Sequence, residues 1–134
     1  MSAKFVFDLD RPRGLVRITM AGFYEAEDVS AFLKARHEAH VELGMRPNQH
    51  MTLNDVRAMK IQDRRIVDAF RQMLVEPAER SRKLAFVVEA SLVRGQLLRA
   101  IAGRDDVRCF DTIAEAEAWL FAEADARPAR VAAR

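Results

Sequence analysis

The hydrophobic period of this chain changes once, and the change limits the folds open to it. Up to residue 22 the period is two. Phe5, Phe7 and Leu9 alternate with Val6 and Asp8. Pro12-Arg13-Gly14 then turns the chain, and Val16, Ile18 and Met20 alternate with Arg17 and Thr19. Alternation on both sides of a Pro/Gly turn predicts an antiparallel hairpin, closed here by Gly22.

After Gly22 helical and strand-like segments take turns. Asp28 is the expected N-cap of a first helix, with Glu25 and Glu27 favouring its positive end. Val29, Phe32, Leu33, Val41 and Leu43 recur at helical spacing, and Gly44 and Pro47 mark the stop. A strand follows over residues 51–56, with Met51 and Leu53 on one side and Thr52 and Asn54 on the other. Ile66, Val67, Phe70, Met73 and Leu74 form the stripe of a second helix over about 63–75, ended by Pro77. Leu84-Ala85-Phe86-Val87-Val88 is apolar without alternation, the pattern of a strand buried on both faces. Ser91 caps a short helix carrying Val93, Leu97, Leu98 and Ile101, with Gly103 at its end. Residues 107–110 form a last strand. Thr112 and Glu115 make a capping box for a final helix whose buried side is Ile113, Ala116, Trp119 and Leu120. Strict alternation after a hairpin implies an α/β domain: a mixed sheet of about five strands and four helices, its later strands parallel and joined by right-handed crossovers. At 134 residues there is room for one domain, expected over 1–123, with a flexible Ala/Arg/Pro tail over 124–134.

Composition narrows the function classes. Half the residues are apolar and 31% are charged, as in a soluble globular protein. No stretch approaches the ~18 apolar residues of a membrane-spanning helix, and the N-terminus enters a strand-like segment without the apolar core of a secretory leader. The one cysteine, Cys109, cannot form an internal disulfide. Together these place the protein in the cytoplasm. The net charge is +2. Basic residues are in excess over 57–108, but Asp63, Asp68, Glu76 and Glu79 are interspersed there, which reads as solvated helix faces. No basic stripe interleaves with aromatics, so nucleic-acid binding is disfavoured.

Chemistry-bearing motifs are few. Gly-x-Ser-x-Gly, Gly-x-Gly-x-x-Gly and a glycine-rich phosphate loop are all missing, so no nucleotide-driven enzyme and no cofactor is expected. His37 and His40 share a helix face, but His-Glu-x-x-His spacing and a cysteine pair are both lacking, and no metal site is expected. Cys109 reads as a small apolar strand residue.

In open α/β sheets ligands bind beyond the carboxyl ends of the strands. Asp55 and Arg57 lie at one such end, and Glu89 and Ser91 at another. Ser91 opens a helix whose N–H groups attract anions, and with Arg57 and Arg94 nearby a small-anion site is one reading. A plain N-cap and an Asp55–Arg57 ion pair is the other. Phe23 and Tyr24 after the second strand, with Met59 and Ile61 before the second helix, suit either an adaptable apolar cavity or ordinary packing. If Leu15, Arg17 and Thr19 share a sheet face with Thr52 and Asn54, that face is polar and open to water, a ligand or a second subunit. The hairpin also leaves an edge to protect, so a homodimer is expected.

The element order resembles the STAS domain, specifically its SpoIIAA-like branch, which is grouped with SEC14-type lipid-binding domains. The resemblance spans about residues 4–122. It rests on the hairpin ending in Met20-Ala21-Gly22-Phe23 and on the third strand ending in Leu53-Asn54-Asp55-Val56-Arg57. It rests also on Lys83-Leu84-Ala85-Phe86-Val87-Val88 before a helix with Arg94, Gln96 and Arg99, and on Phe110-Asp111-Thr112 through Ala118-Trp119-Leu120. It implies a non-enzymatic regulatory or binding module that engages a protein partner, with a carrier or sensor of a small hydrophobic, lipid-like ligand as the alternative. Anti-sigma factor antagonists of this type hold a phosphorylated serine in an Asp-x-Ser after the third strand. Asp55-Val56-Arg57 keeps the aspartate and replaces the serine by an arginine, which cannot accept a phosphoryl group in that role. The residues expected to bind a ligand or partner are Asp55, Arg57, Met59, Ser91, Arg94, Phe23 and Tyr24.

Overall fold

The computed structural model describes residues 2–89 and 91–132, the side chains of residues 91 and 123–132 excepted. All of the tail expected over 124–134 falls on those exceptions and on residues 133–134; residues 133–134 lie outside what is described, and of 124–132 only the backbone is. The strands are β1 (Lys4–Asp10), β2 (Leu15–Gly22), β3 (Met51–Met59), β4 (Lys83–Val87) and β5 (Val107–Phe110). The helices are α1 (Ala26–Leu43), α2 (Arg64–Leu74), α3 (Ser91–Ala100) and α4 (Ile113–Ala132), with a 3-10 turn over Pro77–Glu79. The sheet order is β1-β2-β3-β4-β5; β1 and β2 are antiparallel and every later pair is parallel. This is the expected mixed α/β sheet with an opening hairpin and four helices.

Each crossover steps one strand in the same direction. Crossovers of one hand that always step the same way leave their helices on one face. The buried clusters follow that rule. Val29, Phe32, Ile66 and Val93 from α1–α3, with Ile101 just after α3, pack with Val16, Ile18, Val56, Leu84, Phe86 and Val88. Among the described residues the opposite face has only α4, whose Ala116 and Leu120 pack with Leu15, Met51, Leu53, Ala85 and Val87. Strand β4 is buried on both faces, as its unalternating sequence implies. Hairpin residues Phe5 and Phe7 face α1, their rings 5.4 and 5.3 Å from that of Phe32.

Four local expectations are corrected. Helix α1 starts three residues early: Glu25 is the N-cap, and Asp28, at the third helical position, accepts from the Glu25 backbone N–H at 2.9 Å. Val41 is 66% exposed, because twelve residues after Val29 is about 120° round the helix from the buried stripe. Strand β3 runs on to Met59 through a register irregularity opposite Thr19–Ala21, so Arg57 lies in the strand and not in a loop after it.

The fourth correction concerns the polar face. Arg17 pairs with Leu53 and Ile18 with Asn54, so Arg17 and Thr19 look toward α4 while Thr52 and Asn54 look toward α1 and α2. Thr52 and Asn54 are each only 4% exposed. The uncovered surface is instead the α4-side face of β1 and β2, where Val6 and Thr19 are exposed.

Candidate functional site

Midway along β3 the Asp55 carboxylate accepts three hydrogen bonds from Arg57: from its backbone N–H at 3.1 Å, from Nε at 2.9 Å and from Nη2 at 2.8 Å. Those bonds hold the Asp55 carboxyl below the usual carboxylate range, against the opposing effect of its burial. A carboxylate so engaged is a fixed anion and a poor base. Arg94 donates to Asp111 at 2.7 Å and to the Val88 carbonyl at 3.2 Å, which ties α3 to the segment after β5. Each of the two arginines expected at an anion site thus has a carboxylate of its own. The Ser91 side chain lies outside the described residues.

The expected apolar quartet is not brought together. Phe23 is half-buried. Tyr24 is a core residue: its ring meets Phe70 edge-on at 5.6 Å, its hydroxyl donates to the Lys4 carbonyl at 2.7 Å, and burial raises its pKa. Ile61 is 48% exposed. Only Met59 reaches an apolar cavity, of about 80 Å³, between the sheet and helices α2 and α3. Its other walls include Met20, Val56, Phe70, Phe86 and Leu97.

Two glutamines close the rim of that cavity. Gln62 is buried; its Oε1 accepts from Tyr24 N–H at 2.8 Å and its Nε2 donates to the Gly22 and Lys60 carbonyls. Gln62 N–H donates to Gln96 Oε1 at 3.2 Å, and Gln96 Nε2 returns a bond to the Gln62 carbonyl at 3.1 Å. Gln62 sits in a loop, where no periodic signal marks it, and Gln96 enters the sequence reading only as part of the family resemblance.

A second pocket of about 40 Å³, with both apolar and polar walls, adjoins the first, and Asn54, Met73 and Leu74 line both. Its remaining walls include Arg36, His40, Glu79, Ser81 and Arg104. Among the described residues, two buried polar atoms of these lining residues, Asn54 Oδ1 and Arg36 Nε, find no hydrogen-bond partner. Glu79 takes His37 Nδ1 at 3.0 Å and His40 Nδ1 at 2.7 Å on its two oxygens. The His40 ring lies 4.4 Å from that of His50, whose Nε2 is 3.2 Å from Ser81 Oγ. Burial lowers the pKa of His40 and brings that of His50 down to about 4. Among the described residues no group of three or more His, Cys, Asp or Glu side chains is arranged to hold a metal ion. Cys109 packs against the main core, and burial raises its thiol pKa. Among the described residues no helix is long and apolar enough to cross a membrane.

No protein-family model and no curated protein sequence matches the chain. Solved structures do. An uncharacterised DUF3478-family protein with a SpoIIAA-like fold from Shewanella loihica PV-4 superposes with a TM-score of 0.68 at 12% identity, over 88% of this chain and 93% of that one. An anti-sigma factor antagonist from Mycobacterium paratuberculosis superposes with a TM-score of 0.56 at 13% identity, over 86% of this chain and 91% of that one. At such identities the likeness is one of fold, and the architecture is the SpoIIAA-like, STAS-type α/β fold.

Proposed function

We propose that the chain is a non-catalytic regulatory or binding module that presents the end of β3 and the start of α3 to a protein partner. The observation that carries this reading is the Asp55–Arg57 pair. Its charges are locked together in the second half of β3, where Asp55 pairs with Thr19 of the part of the sheet that α4 leaves bare. A rigid, partly exposed ion pair gives geometric specificity to a partner while offering no group for proton transfer. Arginine in place of the serine of anti-sigma factor antagonists makes this a constitutive surface, without a phosphorylation switch. The working location is the cytoplasm. The free edge of β1 supports a homodimer, which a sedimentation experiment showing only monomer at high concentration would contradict.

The test is an affinity comparison. The partner captured from extract of the native host is titrated against the wild-type protein and against Arg57→Glu. The expected result is at least tenfold weaker binding by the variant, measured at a temperature where circular dichroism shows both proteins folded. Equal affinities would refute this surface.

The apolar cavity under α2 and α3 favours a second reading, a carrier or sensor of a small apolar ligand. Native mass spectrometry of protein purified from its own host separates the two readings. A small co-purified mass supports the carrier, and a bare mass with a bound protein supports the module.

A further inference from the structure

We propose that the outer edge of β1 is the contact between two copies of this chain, paired antiparallel about a two-fold axis at Val6. Val6 then meets the partner's Val6, and Lys4 of each copy meets Asp8 of the other. The proposal rests on the homodimer reading and gives it an interface and a register.

Three observations carry it. The first is an edge without a cover. Strand β1 is paired with β2 along one side only. An open groove runs along its other side, lined by Phe7, Asp8 and Leu9 of the strand and by Ala35 and Ala39 of α1. Asp8 points to the opposite face from Phe7 and Leu9, so a groove that touches all three lies at the strand's outer edge. The backbone groups of that edge have no strand beside them, and an antiparallel copy supplies one.

The second observation is a palindrome. Lys4, Val6 and Asp8 are the exposed residues of β1, and they share the face that α4 leaves bare. Val6 is 64% exposed. A two-fold axis normal to the sheet sets residues of one face against residues of the same face, so the axis passes through a residue. At Val6 it pairs valine with valine, each lysine with an aspartate, and Phe5 with Phe7 on the other face. At Phe7 it sets Val6 against Asp8, and Lys4 against Asp10, whose carboxylate already accepts from Arg13 and Arg17. At Phe5 it sets Lys4 against Val6 and Asp8 against Ser2. At Lys4 or Asp8 it sets like charges together.

The third observation is that both charges are unclaimed. Among the described residues neither the Lys4 ammonium nor the Asp8 carboxylate has an ion-pair or hydrogen-bond partner. Asp8 lies opposite Arg17 in the hairpin, but Arg17 bonds to Asp10 and Glu117. The pairing joins the two sheets into one and extends the bare face across both hairpins. A contact confined to one short strand from each copy falls below the ~1,200 Å² of a standard interface, so association is expected at roughly 10–100 μM.

The test is sedimentation velocity of the full chain up to about 1 mM, with circular dichroism showing that each variant is folded. Lys4→Asp and Asp8→Lys each set like charges across the axis and are expected to weaken association at least tenfold, as is Val6→Lys, which sets two lysines on the axis. Combining Lys4→Asp with Asp8→Lys in one chain keeps the net charge and re-forms both pairs with their signs exchanged. That double variant is expected to associate within about threefold of the wild type. A dimer that the single substitutions leave intact, or that the double variant fails to restore, would overturn the Val6 register while sparing the homodimer reading. Only monomer at the highest concentration would overturn both.

Discussion

The two faces of the sheet use the same five strands and solve different problems. The α1–α3 face is thick: three helices bury an aromatic cluster around Phe32, two pockets, and a polar seam running from His37 through Glu79, His40 and His50 to Ser81. The α4 face is thin. One helix covers β3–β5 and is clasped at its margins by Arg17 on Glu117 at 2.9 Å, by Lys83 Nζ on the Trp119 carbonyl and over the Trp119 ring, and by Arg13 over Phe121. The difference follows from crossover direction: three crossovers of one hand stepping the same way fill one side and leave the other to the last helix. The thick face can enclose a small molecule, and the thin face leaves sheet surface for a macromolecule.

Deleting a side chain from each face gives the largest effects. Phe32→Ala on the thick face should cost about 4 kcal/mol, and Leu120→Ala on the thin face about 3 kcal/mol, both read by urea denaturation. A larger cost for Leu120→Ala would reverse the ranking of the two faces.

Acid should act on the thick face first. His50 is held neutral by burial, with its folded pKa at about 4 against 6.5 for the free side chain. A depressed histidine contributes its stability above the unfolded pKa. That stability is lost as pH falls from about 6.5 toward 4, an upper figure of about 3 kcal/mol. His40, also lowered, has the same sign. The carboxylates Asp55 and Asp106, held low by their arginines, act below that window. His50→Gln should flatten the stability profile between pH 6.5 and 4, and an unchanged slope would remove His50 from the account.

The smallest effect belongs to the rim of the thin face. Glu117→Gln should cost no more than about 1 kcal/mol, because the Arg17–Glu117 pair is partly solvated. The cost should shrink further in 1 M salt. A larger, salt-insensitive loss would mean that α4 is held by this pair more than by Leu120.

What the sequence shows of this contrast is uneven. Period-two runs around Pro12-Arg13-Gly14 and the unalternating 84–88 stretch expose the hairpin and the doubly buried strand, because periodicity is a local property. The Asp55–Arg57 pair is legible for the same reason: residues two apart in a strand share a side. Which face Thr52 and Asn54 occupy is not legible. Alternation groups residues within a strand, and only the register between strands assigns the group to a face. Opposite parity in β2 and β3 therefore turned an expected open polar face into a buried wall. Gln62, Gln96, Arg36 and Glu79 join their sites across 34 to 43 residues of chain, a separation at which no pattern in one sequence speaks.

Hydrogen–deuterium exchange on the complex with the captured partner tests the central claim, that recognition occurs at the strand end beside the thin face. Protection is expected over 55–60 and 92–96, with exchange in α1 and the Pro77–Glu79 turn unchanged. Protection confined to α1 and that turn, with residues 55–60 exchanging as in the free protein, would contradict it.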